Sequence, residues 1–540
     1  MRQLRSIFII SAAALLASSV ANAQSNDFNL GKNLEIQYSV INELSNTFVD
    51  TVDFGKLLPI GIEAMLESLD PYTTYVAEEN SEDFEMMTTN AYGGVGALIK
   101  KLPGAPVRIT EPYRDSPAAK AGLVPGDEIH AINGETIYDL TSDAASAKMK
   151  GQPGTEVTFK VVKGRTKDTV DVVVTRERIH ISDIDYVCIL KDSIGYIKLD
   201  GFTVNMANEM RQKVQELKGQ GAKRLVLDLR GNGGGIMEEA IELLSIFVPK
   251  GTLVVSSKGR DPRMNQEYFT QNNPVDTLIP VLVMVNSSSA SASEIVSGAF
   301  QDLDRGMIAG EKTFGKGLIQ SIRPLPYNGQ MKLTTGKYYT PSGRCVQAID
   351  YSHRNSDGSV GFVPDSLKNE FRTKNGRIVY DGGGITPDFE INDREYSRPT
   401  VSMFYSDIFG EFSIDYFKKH ESIPAAAEFH LSDEEFEEFI EYARNSEFDS
   451  RSAAETMLEK LKEAAESDGL YDEYKAEYEA LAQKVKMDKE SILRAKKDEI
   501  VPLIEIEIVS KYYFPQEGNV ISLRNDPQLD KAIEMWTGQK

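Results

Sequence analysis

The chain has 540 residues, enough for roughly three or four domains, and its 82 acidic against 60 basic residues give a net charge of -22. So acidic a chain lacks the basic footprint that nucleic-acid binding requires, and we expect no nucleic-acid partner. The two cysteines and five histidines show no metal-site spacing, so we expect no metal and no cofactor. We expect Cys188 and Cys345 to be unpaired thiols; a disulfide between them, which export would permit, is the alternative.

The N-terminus has the features of a secretory signal. Arg2 and Arg5 precede an apolar stretch that begins at Ile7, and the small residues Ala-Asn-Ala stand before Gln24. The apolar stretch is shorter than the roughly 20 residues of a membrane-spanning helix. We therefore expect residues 1–23 to be removed on export to the periplasm, where the protein would be soluble. A retained N-terminal anchor is the alternative.

The next segment is predicted to be helical. Apolar residues recur at helical spacing between Asn33 and Leu69, and the pattern ends at the turn signal Asp70-Pro71. Residues 24–82 are therefore expected to form an N-terminal helical region. The sequence leaves open whether its apolar stripe packs on the core of the chain or on a second copy in a homodimer.

Short strands and turns follow. The stretch SPAAKAGLVPGDEIHAING, from Ser116 to Gly134, closely matches the helix-and-turn hallmark of PDZ domains, and residues 83–178 resemble such a domain. The resemblance implies a loop that binds a terminal carboxylate through the backbone of Gly94, Val95, Gly96 and Ala97. The strand after this loop would accept a peptide along its edge.

Residues 179–396 alternate predicted strands and helices, which indicates an α/β core. Strands are predicted at 194–199 and 224–229, with a helix at 206–217 between them. The second strand leads into the loop GNGGG, which ends at Gly235. Glycines before a helix often bind phosphate, but no Lys-Ser/Thr pair follows these. Their free amides could instead stabilise a developing oxyanion.

One segment of this core presents a hydroxyl. The run PVLVMV predicts a buried strand, a Ser/Ala turn follows it, and apolar spacing predicts a helix from Glu294 to Leu303. Ser291 stands where this helix begins, so the helix dipole and the first amides would favour an alkoxide or a nearby oxyanion. The alternative is that Ser291 only caps the helix, because Ser291 and Glu294 fit a capping box.

A serine nucleophile needs a base, and no histidine lies in a motif connected to this turn. Lys316 stands between Gly315 and Gly317, where the absent side chains let other backbone approach its amine. Burial that lowers a lysine pKa from about 10.4 toward neutrality would make the uncharged amine a general base. Gln320, four residues further on, could orient that amine.

Taken together, these motifs resemble the carboxyl-terminal processing (tail-specific) protease family. The resemblance covers roughly residues 41–388 and rests on LDPYTTYV, DLRGNGGG, SASASEI, TFGKG with its glutamine, YYTPSGR and GGITPD. It implies that residues 179–396 form a protease core with a crotonase-like spiral of β-β-α units. It also implies a preference for substrates with apolar C-terminal residues.

The resemblance assigns roles to individual residues. The family's nucleophile, base and supporting glutamine map onto Ser291, Lys316 and Gln320. Its oxyanion donors map onto the amides of Gly234 and Ala292. Gly233 is the alternative to Gly234, because the three consecutive glycines can be aligned with the family's GG pair in two ways.

Residues 397–540 are predicted to form helices that carry both acidic and basic side chains. Ser432 with Glu435, and Ser452 with Glu455, fit capping boxes, and amphipathic stripes follow both. We expect a C-terminal helical domain that packs on the core. Dimerisation and substrate gating are the alternatives.

The sequence therefore predicts an exported serine endopeptidase that binds free C-termini of proteins through its PDZ domain and cleaves near them. One alternative is a non-catalytic PDZ adaptor on a protease-like core, which the complete Ser, Lys and Gln set disfavours. The other is a hydratase or acyl-CoA enzyme on the same fold, which the PDZ domain and the export signal disfavour. The sequence leaves open whether the PDZ domain activates or inhibits.

Overall fold

The computed structural model describes residues 27–102 and 104–538. The secretory signal predicted for residues 1–23 lies outside these ranges. The chain divides into two compact units: the N-terminal residues through Val76 with Ile322–Leu333, and Ala77–Ser321 with Thr334–Lys540. No helix in the described part of the chain is long and apolar enough to cross a membrane.

The N-terminal region is helical, as its apolar spacing predicts. It contains helices α1 (27–47) and α2 (Phe54–Glu67) and the short strand β1 (Thr74–Val76), which pairs antiparallel with residues 330–332. Asp53 caps α2, because its carboxylate accepts the amide of Gly55 at 3.0 Å. Both helices present apolar side chains to solvent; those at least 50% exposed include Leu34, Ile36, Tyr38, Val40, Ile60 and Met65.

A small β domain follows. Its elements are α3 (Ser81–Thr89), β2 (Ala91–Gly94), β3 (Ala97–Lys101), β4 (Val107–Pro112), α4 (Pro117–Lys120), β5 (Glu128–Ile132), β6 (Glu135–Thr136), α5 (Ser142–Met149), β7 (Glu156–Val162), β8 (Thr169–Thr175) and β9 (Glu177–His180). The sheet order is β3-β4-β5-β7-β8, so β3 lies at an edge. Strands β2 and β9 pair antiparallel with each other, so the first and last strands of the domain are adjacent.

The α/β core is confirmed. Its elements are β10 (Ile184–Leu190), β11 (Ile194–Leu199), α6 (Met206–Gly219), β12 (Arg224–Asp228), α7 (Met237–Leu244), β13 (Leu253–Lys258), β14 (Gln266–Phe269), β15 (Val281–Val285), α8 (Ala292–Asp302), β16 (Met307–Gly310), β17 (Leu318–Pro324), β18 (Gln330–Tyr339), β19 (Ile349–Arg354), β20 (Val360–Phe362), β21 (Glu370–Arg372), β22 (Ile378–Tyr380) and β23 (Phe389–Glu390). The main sheet has the order β10-β11-β12-β15-β16-β23 and is parallel except at β10.

Parallel strands are normally covered on both faces, and those of this sheet are. One face packs against α6, α7 and α8 in the largest apolar cluster of the described chain. The other face packs against Leu529 and Ala532, which lie in the last helix of the chain. All five residues of β15 are buried for this reason. Because β12 and β15 are parallel neighbours in the sheet, the glycine loop after β12 and the serine turn after β15 lie at the same edge.

The C-terminal region forms nine helices within the described residues: α9 (Arg398–Tyr405), α10 (Ile408–Lys419), α11 (Asp433–Arg444), α12 (Ala453–Ser467), α13 (Lys475–Val485), α14 (Lys489–Ala495), α15 (Lys497–Tyr513), α16 (Gly518–Arg524) and α17 (Pro527–Thr537). Both predicted capping boxes, Ser432 with Glu435 and Ser452 with Glu455, are present. An aromatic cluster around Phe412 and Phe439 forms the domain's own core.

Candidate active site

Ser291 lies at the turn between β15 and α8, where it is the N-cap residue of the helix. Its backbone has φ 55° and ψ -113°, which is strained for a residue with a side chain. The predicted strand, turn and helix are therefore confirmed, and the turn is sharper than a simple cap requires. Such strain persists only where neighbouring groups hold the backbone in place.

The carboxylate of Glu294 provides that restraint. Its Oε2 accepts the amide of Ser291 at 3.0 Å and the amide of Lys316 at 2.7 Å. Its Oε1 accepts the amide of Gly315 at 2.7 Å and the hydroxyl of Thr313 at 2.6 Å. One carboxylate thus joins the serine turn to the lysine loop. The capping pattern predicts only a local role for Glu294, because three of its four donors lie about 20 residues further along the chain.

Glu294 is completely buried, and burial is the main influence on its acidity. Loss of hydration raises the pKa of its carboxyl group to about 7, against the lowering effect of the Thr313 hydroxyl and the three amides. Four donors and no acceptor surround the two oxygens. These four hydrogen bonds favour the ionised form but offset only part of the effect of burial, so the pKa stays above its usual value.

Tyr338 joins the same two residues from the carbonyl side. Its hydroxyl lies 3.1 Å from the carbonyl oxygen of Ser291 and 2.5 Å from that of Lys316. The Tyr338 side chain is 1% exposed and comes from β18, which pairs with β13 at this point. The backbones of Ser291 and Lys316 are thus bridged twice, once through their amides and once through their carbonyls. The sequence contained Tyr338 only as part of the YYTPSGR motif, with no role of its own.

The glycines beside Lys316 allow the close packing that the sequence predicted. A Cβ atom on Gly315 would lie 2.4 Å from Cβ of Ala348, and φ there is +87°. A Cβ atom on Gly317 would lie 2.8 Å from the amide nitrogen of Gln347. Both contacts are far inside van der Waals distance. Glycine is therefore required on each side of Lys316 to keep this loop in place.

Gln320 lies in β17, on the strand that continues from the lysine loop. Its side-chain amide donates to the hydroxyl of Thr334 at 3.2 Å. Thr334 and Leu318 also line a surface cavity of about 390 Å³, together with the basic residues Lys258, Arg260 and Lys337. The predicted contact between Gln320 and the Lys316 amine stays a prediction.

The glycine loop after β12 lies directly against the serine turn. A Cβ atom on Gly234 would lie 2.6 Å from the carbonyl oxygen of Ala290, 2.8 Å from Cβ of Ser291 and 2.9 Å from the amide nitrogen of Ala292. The predicted oxyanion residues Gly234 and Ala292 are therefore neighbours of Ser291. Only glycine can occupy this position, which also has φ +98°.

Asn232 fixes this loop and uses one of the candidate amides. Its side-chain oxygen accepts the amide of Gly234 at 2.8 Å, and its side-chain nitrogen donates to the carbonyl of Leu199 at 2.8 Å. In the described part of the chain, the amides of Gly233 and Ala292 donate no hydrogen bond. The Ala292 amide directly follows Ser291 in the chain, and an unpaired amide beside a serine is suited to bind a negatively charged oxygen.

The predicted carboxylate loop lies between β2 and β3. The carbonyl of Val95 accepts the amide of Ala118 at 2.9 Å, and the carbonyl of Gly96 accepts the amide of Tyr113 at 2.9 Å. Within the described ranges, neither Val95 nor Gly96 donates its own amide. Gly96 has φ +73°, and a Cβ atom there would lie 2.6 Å from Cβ of Ser116. The loop thus has free amides beside the open edge of β3.

Cys188 and Cys345 are both free thiols, and burial raises the pKa of each. No group of histidine, cysteine or acidic side chains among the described residues could hold a metal ion.

Three family models match successive parts of the chain. Residues 193–353 match peptidase family S41, residues 108–163 match a PDZ domain, and residues 400–536 match the C-terminal helical domain of a probable PDZ-protease. A solved structure of a photosystem II D1 C-terminal processing protease is 26% identical, covers 66% of this chain and 86% of its own, and has a TM-score of 0.36.

Curated relatives match over most of their length. The carboxy-terminal-processing protease of Bartonella bacilliformis is 34% identical over 351 residues, which cover 64% of this chain and 80% of the relative. The carboxyl-terminal-processing protease of Synechocystis is 37% identical over 313 residues, which cover 57% of this chain and 70% of the relative. This chain therefore belongs to the carboxy-terminal-processing protease family, within peptidase family S41, and carries a PDZ domain and a C-terminal helical domain.

Proposed function

We propose that this chain is an exported, periplasmic serine endopeptidase that binds free C-termini of proteins through its PDZ domain and cleaves peptide bonds near them. Ser291 is the nucleophile, Lys316 the general base and Gln320 the residue that orients the lysine. We also propose a crotonase-like spiral for residues 179–396, flanked by the PDZ domain at 83–178 and the helical domain at 397–540.

The observation that carries this proposal is the double bridge between Ser291 and Lys316. Glu294 binds both amides through one oxygen, and Tyr338 lies within hydrogen-bond distance of both carbonyls. Such a bridge fixes the spacing of the two backbones, and a nucleophile and its base need fixed spacing. A non-catalytic adaptor would have no use for it.

Acylation then follows from the chemistry of the two groups. The uncharged amine of Lys316 takes the proton of the Ser291 hydroxyl while the oxygen forms a bond to the scissile carbonyl carbon. The carbonyl electrons move onto the carbonyl oxygen. When this intermediate collapses, the C–N bond breaks and the Lys316 ammonium gives its proton to the leaving amine. Water then attacks the ester with Lys316 again as base, and Ser291 is released.

The oxyanion would be stabilised by backbone amides. We propose the amide of Ala292 as one donor and that of Gly234 as the other, as the family resemblance implies. Gly234 can serve only if Asn232 shares that amide, since the two are hydrogen-bonded. The unengaged amide of Gly233 is the alternative. Either pairing would supply two backbone donors for the oxyanion.

The substrate tail would be captured at β3. The amides of Val95 and Gly96 are free to bind a terminal carboxylate, with Gly94 and Ala97 flanking them, and the edge of β3 can pair with an extended peptide. This mode reads the chain end through backbone contacts. It therefore requires a free terminal carboxylate, and the preference for apolar C-terminal residues that the resemblance implies would come from side-chain contacts.

We expect Ser291→Ala and Lys316→Arg each to abolish cleavage of an unfolded protein substrate. Alanine removes the nucleophile, and the arginine guanidinium stays protonated and cannot act as a base. Products are mapped by mass spectrometry with substrates whose C-terminus is free or amidated. Binding of a fluorescent tail peptide to Ser291→Ala should be unchanged for the free acid and at least about tenfold weaker for the amide.

Three results would decide against this proposal. Cleavage by the Ser291→Ala protein would exclude Ser291 as the nucleophile. Activity in the Lys316→Arg protein would exclude an amine base. Equal affinity for free and amidated tails would exclude carboxylate capture by the PDZ domain.

We expect Glu294→Gln to lower kcat/KM about 10- to 100-fold. The side-chain amide nitrogen would face backbone donors and leave at least one of them unpaired, which costs about 1–3 kcal/mol. Glu311→Gln is the matched control, because Glu311 lies just before the lysine loop, is partly exposed and accepts the amide of Asp393. A Glu294→Gln protein with wild-type kinetics would show that the bridge is unnecessary.

The raised pKa of the Glu294 carboxyl group predicts that the stability of the folded chain depends on pH. The carboxyl pKa is about 7 when folded, above its usual value of 4.5, so the folded chain holds a proton between these values that the unfolded chain releases. The wild type should therefore lose stability relative to Glu294→Gln as the pH rises from about 4.5 to about 7. Thermal unfolding at several pH values measures this difference.

We expect Tyr338→Phe to lower kcat about three- to tenfold with little change in KM. The variant keeps the buried ring and loses only the hydroxyl that contacts the carbonyls of Ser291 and Lys316. Tyr339→Phe is the control, since the neighbouring ring lies under the Lys258 ammonium instead. Equal losses in the two variants would mean that the hydroxyl bridge has no special role.

We further propose that the exposed apolar faces of α1 and α2 pack on a second copy of the chain. We expect the wild type to sediment as a dimer and Leu34→Glu/Tyr38→Glu to sediment as a monomer, because both side chains are more than half exposed and lie one turn apart on α1. Analytical ultracentrifugation distinguishes the two. A monomeric wild type, or a variant that still dimerises, would refute this interface.

A further inference from the structure

The glycine loop beside Ser291 begins at an arginine that the last helix of the chain holds. Arg230 follows β12 and precedes Gly231. Its Nη1 lies 2.9 Å from Oε1 of Gln528 and 3.2 Å from Oδ1 of Asp526, and its Nη2 lies 2.5 Å from Oδ2 of Asp526. Asp526 is the N-cap of α17, almost 300 residues further along the chain. The two ends of this contact belong to different domains.

The other side of the same guanidinium is held by the core. Its Nε lies 3.0 Å from both carboxylate oxygens of Asp228, and Nη2 lies 2.5 Å from one of them. The hydroxyl of Tyr196 also donates to Asp228, at 2.7 Å. All three guanidinium nitrogens are thus bonded, and planar, forked contacts of this kind fix orientation as well as position.

The cluster is shielded from water. The side chains of Asp228 and Arg230 are 1% and 15% exposed, and that of Asp526 is 14% exposed. Burial alone would raise the pKa of the Asp228 carboxyl, but the Arg230 guanidinium outweighs it and holds that pKa below its usual value. Loss of either Arg230 contact would leave a buried charge without its full set of partners.

Helix α17 does not depend on Arg230 for its own position. Its Leu529 and Ala532 pack on the sheet beside Tyr196 and Val226. The side-chain nitrogen of Gln528 donates to the carbonyl of Ile391 at 2.6 Å. The helix is therefore a fixed support from which Asp526 and Gln528 reach the arginine.

The loop held in this way has little stiffness of its own. Four of the five residues from Gly231 to Gly235 are glycine, the residue with the greatest backbone freedom. Asn232 ties the middle of the loop to the core, the Gly231 amide donates to the Asn286 side chain at 3.0 Å, and Arg230 anchors the backbone just before the loop. A shift of about 1 Å in an oxyanion donor is enough to cost about 100-fold in rate.

We infer that Asp526 and Gln528 are positioning residues for the oxyanion loop, so that the C-terminal helical domain completes the catalytic centre through Arg230. This inference rests on the proposed function of Ser291 and the neighbouring amides. Neither Asp526 nor Gln528 touches substrate; both act by fixing the arginine from which the loop starts. The helical domain then has a role in catalysis that is separate from tail capture.

Asp526→Asn tests the contact with the helix kept intact. Asparagine is as good an N-cap as aspartate, so the bond to the Leu529 amide can persist while the charge opposite Arg230 is lost. We expect kcat to fall about 10- to 100-fold, with KM and tail-peptide affinity within about twofold of wild type. Affinity for a peptide aldehyde should fall by the same factor as kcat, because its adduct with Ser291 needs the oxyanion donors.

Gln528→Ala provides a second variant, with a smaller expected loss of about three- to tenfold. Asp530→Asn is the matched control in the first turn of α17, and we expect wild-type rates for it. Equal losses in Asp530→Asn, or a parallel loss of tail-peptide affinity, would indicate a general structural effect and overturn the inference. Wild-type kcat in both Asp526→Asn and Gln528→Ala would overturn it as well.

Hydrogen exchange separates this inference from the proposed function. In the Ser291→Ala background, which needs no activity, Asp526→Asn should increase amide exchange in residues 231–235 and leave exchange in residues 94–97 unchanged. Unchanged exchange in residues 231–235 would overturn the positioning role. Failure of the proposed function would appear instead as a wild-type protein that does not cleave.

Discussion

A single buried carboxylate joins the serine turn to the lysine loop, the two halves of the proposed catalytic centre. Glu294 accepts hydrogen bonds from the Ser291 amide at the end of one strand and from the Lys316 amide at the start of another. Neither segment can move without leaving a donor or the carboxylate unpaired away from water, and either outcome is costly. The strained backbone at Ser291 and the narrow path of the glycine-flanked lysine are both maintained by this constraint. Tyr338 repeats the constraint on the carbonyl side, so the distance between the two backbones is fixed from both directions.

Local rules were enough to predict the elements that present these residues. Strand β15, the serine turn and α8 follow from an apolar run, small polar residues and helical spacing, and the glycines around Lys316 were predicted to allow close packing. The roles of Glu294 and Tyr338 could not be predicted in the same way. The capping pattern accounts for one donor to Glu294 within three residues, whereas Tyr338 reaches the site only because β18 pairs with β13 in a particular register. Register and loop meeting points depend on tertiary packing, which periodicity does not encode.

The same limit explains why the C-terminal region was predicted as helices without a role. Amphipathic stripes and capping boxes gave the helices, and packing on the core was the expected outcome. These sequence patterns do not predict that α17 covers the second face of the main sheet, or that its N-cap residue Asp526 contacts Arg230. A parallel sheet needs cover on both faces, so some element had to lie there, but the sequence offers no rule for which one.

The helical domain contacts both the PDZ domain and the α/β core. Toward the PDZ domain, Lys511 lies 2.8 Å from Glu111 of β4, Arg108 pairs with Glu411 of α10, and the Arg165 guanidinium lies 4.1 Å from the centre of the Phe417 ring. Toward the core, Leu529 and Ala532 add buried apolar surface to the ionic contact at Arg230. Separating either pair of surfaces would leave buried charges without partners and expose apolar side chains to water, and both are unfavourable. The helical domain therefore holds the PDZ domain and the α/β core together through two contacts that each combine ion pairs with packing.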